Sequence, residues 1–93
     1  MVAASFSSKE KYAYYLLNPH LWNDPVICEV KRTVDGKTVE GIVFSKVHNG
    51  MTLLLLKVWE VSIHCYNKVH PIDVVQHKYK SVWEIVDDGW EVV

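Results

Sequence analysis

Four histidines, His48, His64, His70 and His77, and the cysteine Cys65 carry the widest chemical range in this chain. A structural zinc site needs ligands that converge in a tetrahedron, usually delivered as two closely spaced pairs. Only His64-Cys65 is close in sequence, and adjacent residues on a strand point to opposite faces. The spacing therefore predicts no metal site, and His64 and His70 read as surface or capping groups. A Cys65 nucleophile paired with His70 or His77 would need a helix N-terminus or a cationic neighbour to lower its thiol pKa, and the sequence supplies neither. Asp87-Asp88 precedes Gly89, which is the chemistry of a turn rather than of an acid–base pair. The sequence has no Gly-rich phosphate loop, nucleophile elbow or metalloprotease signature. The expectation is a protein that is not an enzyme, with no catalytic residue, metal or cofactor.

Binding chemistry is better represented. Lys78-Tyr79-Lys80 interleaves basic and aromatic groups, as single-strand binders do, although a solvated arm has the same composition. Tyr14 falls off the main apolar stripe of its predicted helix and is a candidate for a partner surface. Ten basic and eleven acidic residues give a net charge of −1, which is no footprint for duplex nucleic acid. Arg32 is the only arginine, and arginine is the usual reader of phosphate and guanine.

The elements that position these groups are legible in outline. Ninety-three residues predict a single domain over 1–93. Hydrophobic residues make up 49% of the chain and four Trp are present, enough for a real core. Residues 1–6 read as a frayed terminus. Ser7 to Glu10 fits a capping box ahead of a helix over 8–17, which Asn18-Pro19 ends. Leu21 and Trp22 follow in a connector that could plug one end of a barrel. Val26 begins a first strand, 26–34, with Val26, Cys28 and Val30 on one face. Asp35-Gly36 predicts a type I′ turn into a second strand, 38–47, where Val39, Gly41, Val43 and Val47 share a face. Gly41 in mid-strand marks a sharp bend or a close backbone approach. His48-Asn49-Gly50 reverses the chain into a long third run, 51–66, whose first half reads as buried on both faces. A break near 57–60 would leave a further strand over 61–66. Ile72 to Val75 fits a short strand or a helical turn, and 82–86 with 90–93 reads as a last hairpin. The fold class is α+β, mainly β: a short N-terminal helix packed on a strongly bent five-stranded antiparallel sheet or small barrel. Trp-Glu followed by Val or Ile recurs at Trp59, Trp83 and Trp90, a strand habit with Trp inward and Glu outward. Cys28 and Cys65 fall within predicted strands, and whether they bridge stays open. The absence of a basic, apolar leader in 1–8 and of any long apolar run predicts a soluble, intracellular, cytoplasmic protein (nuclear in a eukaryote), with no membrane partner.

Laid out this way, the chain resembles the Sm/LSm family of small β-barrels. The matching residues are Val30, Asp35-Gly36-Lys37, Gly41, Val43 and Met51-Thr52-Leu53 with Leu55, so that helix, first strand, glycine and methionine come in order over about forty residues. His48 stands near the position of a family Asp. Thr52 stands where RNA-binding members carry the Asn that holds a uracil, and the second motif with its Arg-Gly pair is not present. The resemblance implies an Sm-like fold and assembly in which the fourth strand of one subunit joins the fifth of the next. Here those strands would be 61–66 and 82–86, so Val61, Ile63, Val82, Trp83 and Ile85, with Tyr14, are the candidate interface residues. The implied function is a non-catalytic assembly module, partnered by itself or other subunits. RNA contact would involve His48, Thr52, Lys78, Tyr79 and Lys80. An alternative reading is a small phage or mobile-element protein that binds and inhibits a host protein. A weaker one is a small-ligand-binding barrel.

Overall fold

The computed structural model describes residues 7–24 and 26–93, so the expectation of a frayed 1–6 segment and the place of Pro25 lie outside the described residues. The chain runs α1 (Ser8–Leu17), a 3-10 turn (Pro19–Leu21), β1 (Ile27–Val34), β2 (Lys37–His48), β3 (Met51–Leu54), β4 (Lys57–Trp59), a second 3-10 turn (Pro71–Asp73), β5 (Gln76–Lys78), α2 (Val82–Asp87) and β6 (Glu91–Val92). The class is α+β and mainly β, with helices packed against an antiparallel sheet. Six strands form that sheet along the path β5-β4-β2-β1-β6, with β3 also paired to β2. The sheet is open and does not close into a barrel.

The β1–β2 hairpin is its spine, in register from Ile27↔Phe44 to Val34↔Lys37. Asp35 and Gly36 sit at φ 51° and 78°, and Asn49 and Gly50 at 52° and 75°, the positive pairs that type I′ turns require. Alternation then sets burial: Cys28 and Val30 are inside, while Val26, before the strand, is exposed. Past Phe44, β2 outruns β1 and pairs only with β3, from Ser45↔Leu54 to His48↔Met51. Val47, Met51 and Leu53 are therefore exposed, where burial was expected, because no layer covers this end of the hairpin. The break in the third run comes at Leu55-Leu56 rather than at 57–60.

Gly41 faces Val30 across the hairpin, and the close approach expected of it is present. A Cβ there would stand 2.8 Å from a Trp90 ring carbon and 2.8 Å from Val58 Cγ1. The core gathers around this point: Leu16 from α1, Val30, Val43 and Val58 from the sheet, Ile85 from α2, and Trp90.

Two expected strands are absent. Residues 61–68 are turns, held by Cys65 N–H to the Ser62 carbonyl and Lys68 N–H to the Cys65 carbonyl. Residues 82–86 are helical, not strand. The Ser81 hydroxyl accepts from the Glu84 amide at 3.3 Å as an N-cap, and Val82, Ile85 and Val86 share the buried face by helical spacing. Consequently only Trp90 of the three Trp-Glu tryptophans is fully inward. Trp59 is half-buried, edge-on to Phe44, and Trp83 is exposed.

Candidate functional site

The first turn of α1 is fixed as its sequence requires. The Ser7 hydroxyl accepts from the Glu10 amide at 3.2 Å, and the Ser7 amide donates to Glu10 Oε1 at 3.4 Å. At the other end, the Asn18 side-chain amide donates to the Tyr14 carbonyl at 2.7 Å and Trp22 Nε1 to the Tyr15 carbonyl at 2.8 Å. These bonds satisfy orphan carbonyls of the last turn and fold the chain back beside the helix. Trp22 is drawn into the core, while Leu21 stays outside.

Ala13 and Leu16 face inward, so helical geometry turns Tyr14 and Leu17 outward. On α2 the buried set Val82, Ile85 and Val86 likewise leaves Trp83 outward. The result is a groove of about 720 Å³ between the helices, floored by Ala13 and Tyr15, walled by Tyr14, Leu17, Leu21 and Trp83, and edged by Glu10 and Lys11. Tyr14 is 65% exposed, Leu17 54%, Leu21 43% and Trp83 48%. Four large apolar side chains standing together in water are uncommon on a protein this small and mark contact surfaces. Tyr14 and Trp83, expected at an interface for unrelated reasons, meet here. The other expected interface residues do not join them: Val82 and Ile85 are core, and Val61 and Ile63 lie half-buried in the 61–68 turns. Leu17 and Leu21 escaped sequence reasoning. The signal for Leu17 was its place three residues after Tyr14, on the same side of α1, whereas Leu21, in the 3-10 turn, is brought there only by the fold of the chain after Asn18.

A second constellation joins α2 to the sheet. Asp88 Oδ2 accepts from Arg32 Nη1 at 2.8 Å and from the Tyr79 hydroxyl at 2.5 Å, and Trp90 Nε1 donates to the Tyr79 oxygen at 2.9 Å. The Arg32 guanidinium lies 4.6 Å from the Trp90 ring centroid, and its buried Nε has no partner. Nearby, His77 Nε2 and Glu60 Oε2 are 2.8 Å apart, tying β5 to the end of β4. These are clamps: they hold the C-terminal segment over the core.

The expected RNA residues are not brought to one place. His48 pairs with Met51 and Thr52 with Val47, so they point to opposite faces of the hairpin end. Lys78, at the end of β5, pairs with Lys57 on β4, and β4 meets β2 only at Ile42, six residues before His48 or about 20 Å of strand. Tyr79 is spent on Asp88 and the core rather than offered for stacking, and the hollow beside it is lined by Glu84, Asp87 and Asp88 against Lys78 alone. The Lys80 amide donates to Glu84 Oε1 at 3.0 Å. Among the described residues no group of His, Cys, Asp and Glu is placed to hold a metal ion, and no helix is long and apolar enough to cross a membrane.

Cys28 and Cys65 are both free thiols, one buried and one exposed. Burial, and then the charge of Glu29, pushes the Cys28 thiol from 9.0 up to about 12. Burial, and then the hydrogen bond to Asp88, pushes the Tyr79 phenol from 10.0 up to about 12. Neither ionises near neutrality in the folded chain. Below the unfolded values both groups keep their protons in both states, and the full stability is present. Between 9.0 and about 12 the unfolded chain loses these protons first, so folding weakens as pH rises through that window. Thermal melts across alkaline pH should show the decline, with Cys28→Ala removing its earlier part and Tyr79→Phe its later part. Identical slopes in wild type and both variants would contradict this assignment.

No protein-family model matches the chain, and neither a curated protein nor a solved structure matches it.

Proposed function

We propose that the chain is a non-catalytic module that binds another protein chain through the outer face of α1 and α2. The observation that carries this reading is the exposed apolar lining of Tyr14, Leu17, Leu21 and Trp83, supplied by the 3-10 turn and by two helices whose opposite faces already complete the core. An N-terminal helix, a long β1–β2 hairpin and a close approach at Gly41 are the features in keeping with an Sm-like relationship. Assembly through sheet edges has less to recommend it. The edge strands β5 and β6 have three and two residues, a length that blunts strand addition. A small-ligand site would want several convergent polar groups. The charged groups of the groove are Glu10 and Lys11, and Glu10 is engaged in the cap.

Leu17→Glu tests the reading. Leu17 is more than half exposed, so the fold should tolerate the change, while a charge in the wall should abolish contact. Tagged wild-type chain purified from its cells is expected to retain a bound protein, itself or another, that Leu17→Glu loses with an unchanged circular dichroism spectrum. Identical association of wild type and variant would contradict it.

A further inference from the structure

We infer that residues 61–74 are a lid on the sheet face away from the helices, hinged at the β4–β5 ladder, latched by Tyr66, and opening as one unit while the sheet stays folded. That face is no part of the α1–α2 groove. The two ends of the segment are pinned together. Trp59 pairs with Gln76, the Glu60 amide donates to the Val75 carbonyl at 2.9 Å, and His77 Nε2 lies 2.8 Å from Glu60 Oε2. A surface segment of this length that leaves and returns at one point is an Ω-loop, a form that frequently carries function.

Ile42 shows what lies beneath. It is 0% exposed, yet its neighbour Val43 belongs to the helix-side core, and successive strand residues face opposite sides. Ile42 therefore points away from the helices, together with its ladder partner Trp59 and with Phe44 two residues on. Phe44 stands edge-on to Trp59, with 5.4 Å between ring centroids, and to Tyr66 at 6.1 Å. Tyr66 is where the loop grips this face.

Much of the loop is held by itself. The amides of Cys65, Lys68, Asp73 and Val74 all donate to carbonyls within it. Every residue of 61–74 is exposed or half-buried, and Ile72, at 83% exposed, keeps its side chain in water instead of on the sheet. Closure therefore buries little, and segments with few buried apolar contacts are the ones that open ahead of global unfolding. With the lid open, Phe44 loses the ring against it, and the apolar surface of Ile42, Phe44 and Trp59 is bared. One aromatic contact sets how often that happens.

Native-state hydrogen exchange on the full chain, read by NMR in low urea, tests this. The amides of Cys65, Lys68, Asp73 and Val74 should share one protection factor and one urea dependence, both below those of Val30 and Val43 in the hairpin. Tyr66→Ala should lower the protection of all four about tenfold, because it removes the ring contact that opening breaks, and Tyr66→Phe should match wild type. Ile85→Val, in the helix-side core, should lower the protection of Val30 and Val43 several-fold and leave the four loop amides unchanged, because Ile85 stays packed when the lid opens. Loop amides that exchange only with the hairpin, that exchange independently of one another, or that fall with Ile85→Val would overturn the lid. Loop amides indifferent to Tyr66→Ala would overturn the latch.

Discussion

Trp90→Ala should leave the chain close to unfolded at room temperature. Trp90 is 1% exposed, and truncating a buried tryptophan costs about 3–5 kcal/mol. A chain of this size has a total stability near the lower end of about 5–15 kcal/mol. The loss extends beyond the cavity. Tyr79 would no longer receive the indole N–H, and Arg32, with its side chain only 17% exposed and Nε already unpartnered, would lose the ring beneath it. Trp90→Phe keeps most of the packing and removes the donor, so its cost should be nearer 1–2 kcal/mol. Urea unfolding followed by circular dichroism separates the two variants. A Trp90→Ala protein within about 1 kcal/mol of wild type would show that the core does not depend on this residue.

Gly41→Ala should be the most damaging single-methyl addition in the sheet, at about 1–3 kcal/mol for overpacking. The added Cβ would stand 2.8 Å from both Trp90 and Val58. The Trp90 ring, fixed by Tyr79 and covered by Arg32, has nowhere to go, and Val58 is fully buried. Val58→Ala clears one of the two clashes. The double variant should therefore lose less than the sum of the single losses, the signature of residues in direct contact. Strict additivity would mean that the sheet relieves the clash by bending elsewhere.

The parts of the fold with local causes were readable in the sequence. Asp35-Gly36 and Asn49-Gly50 dictate their turns because few residue pairs accept two positive φ angles, and Ser7 with Glu10 dictates the start of α1. What misled was burial pattern without tertiary context. The segment 82–86 is as rich in β-branched residues as a strand, yet the Ser81 cap and the core's demand for Val82, Ile85 and Val86 on one side make it helical. The 61–66 segment has apolar residues but no neighbour to pair with, since β4 ends at Trp59 and the chain turns away. The groove was half legible. Tyr14 stood out because it leaves the inner stripe, while Leu17 has no such mark, and Trp83 was expected on a sheet edge that the fold does not contain. Only the packing of α2 beside α1 brings Trp83 to the same groove as Tyr14, and that packing joins segments far apart in the chain.

The most direct test of a protein-binding face is a photo-crosslinking amino acid placed at Tyr14 in the full chain, with a control at Lys37, the exposed first residue of β2 and no part of the groove. Irradiation of cells expressing each variant reads which surface is covered by protein. The account predicts a discrete higher-mass adduct from position 14 and none from position 37, and the adduct should vanish when Leu17→Glu is added. An adduct from position 37 alone, or the same adduct from 14 with Leu17→Glu present, would contradict it.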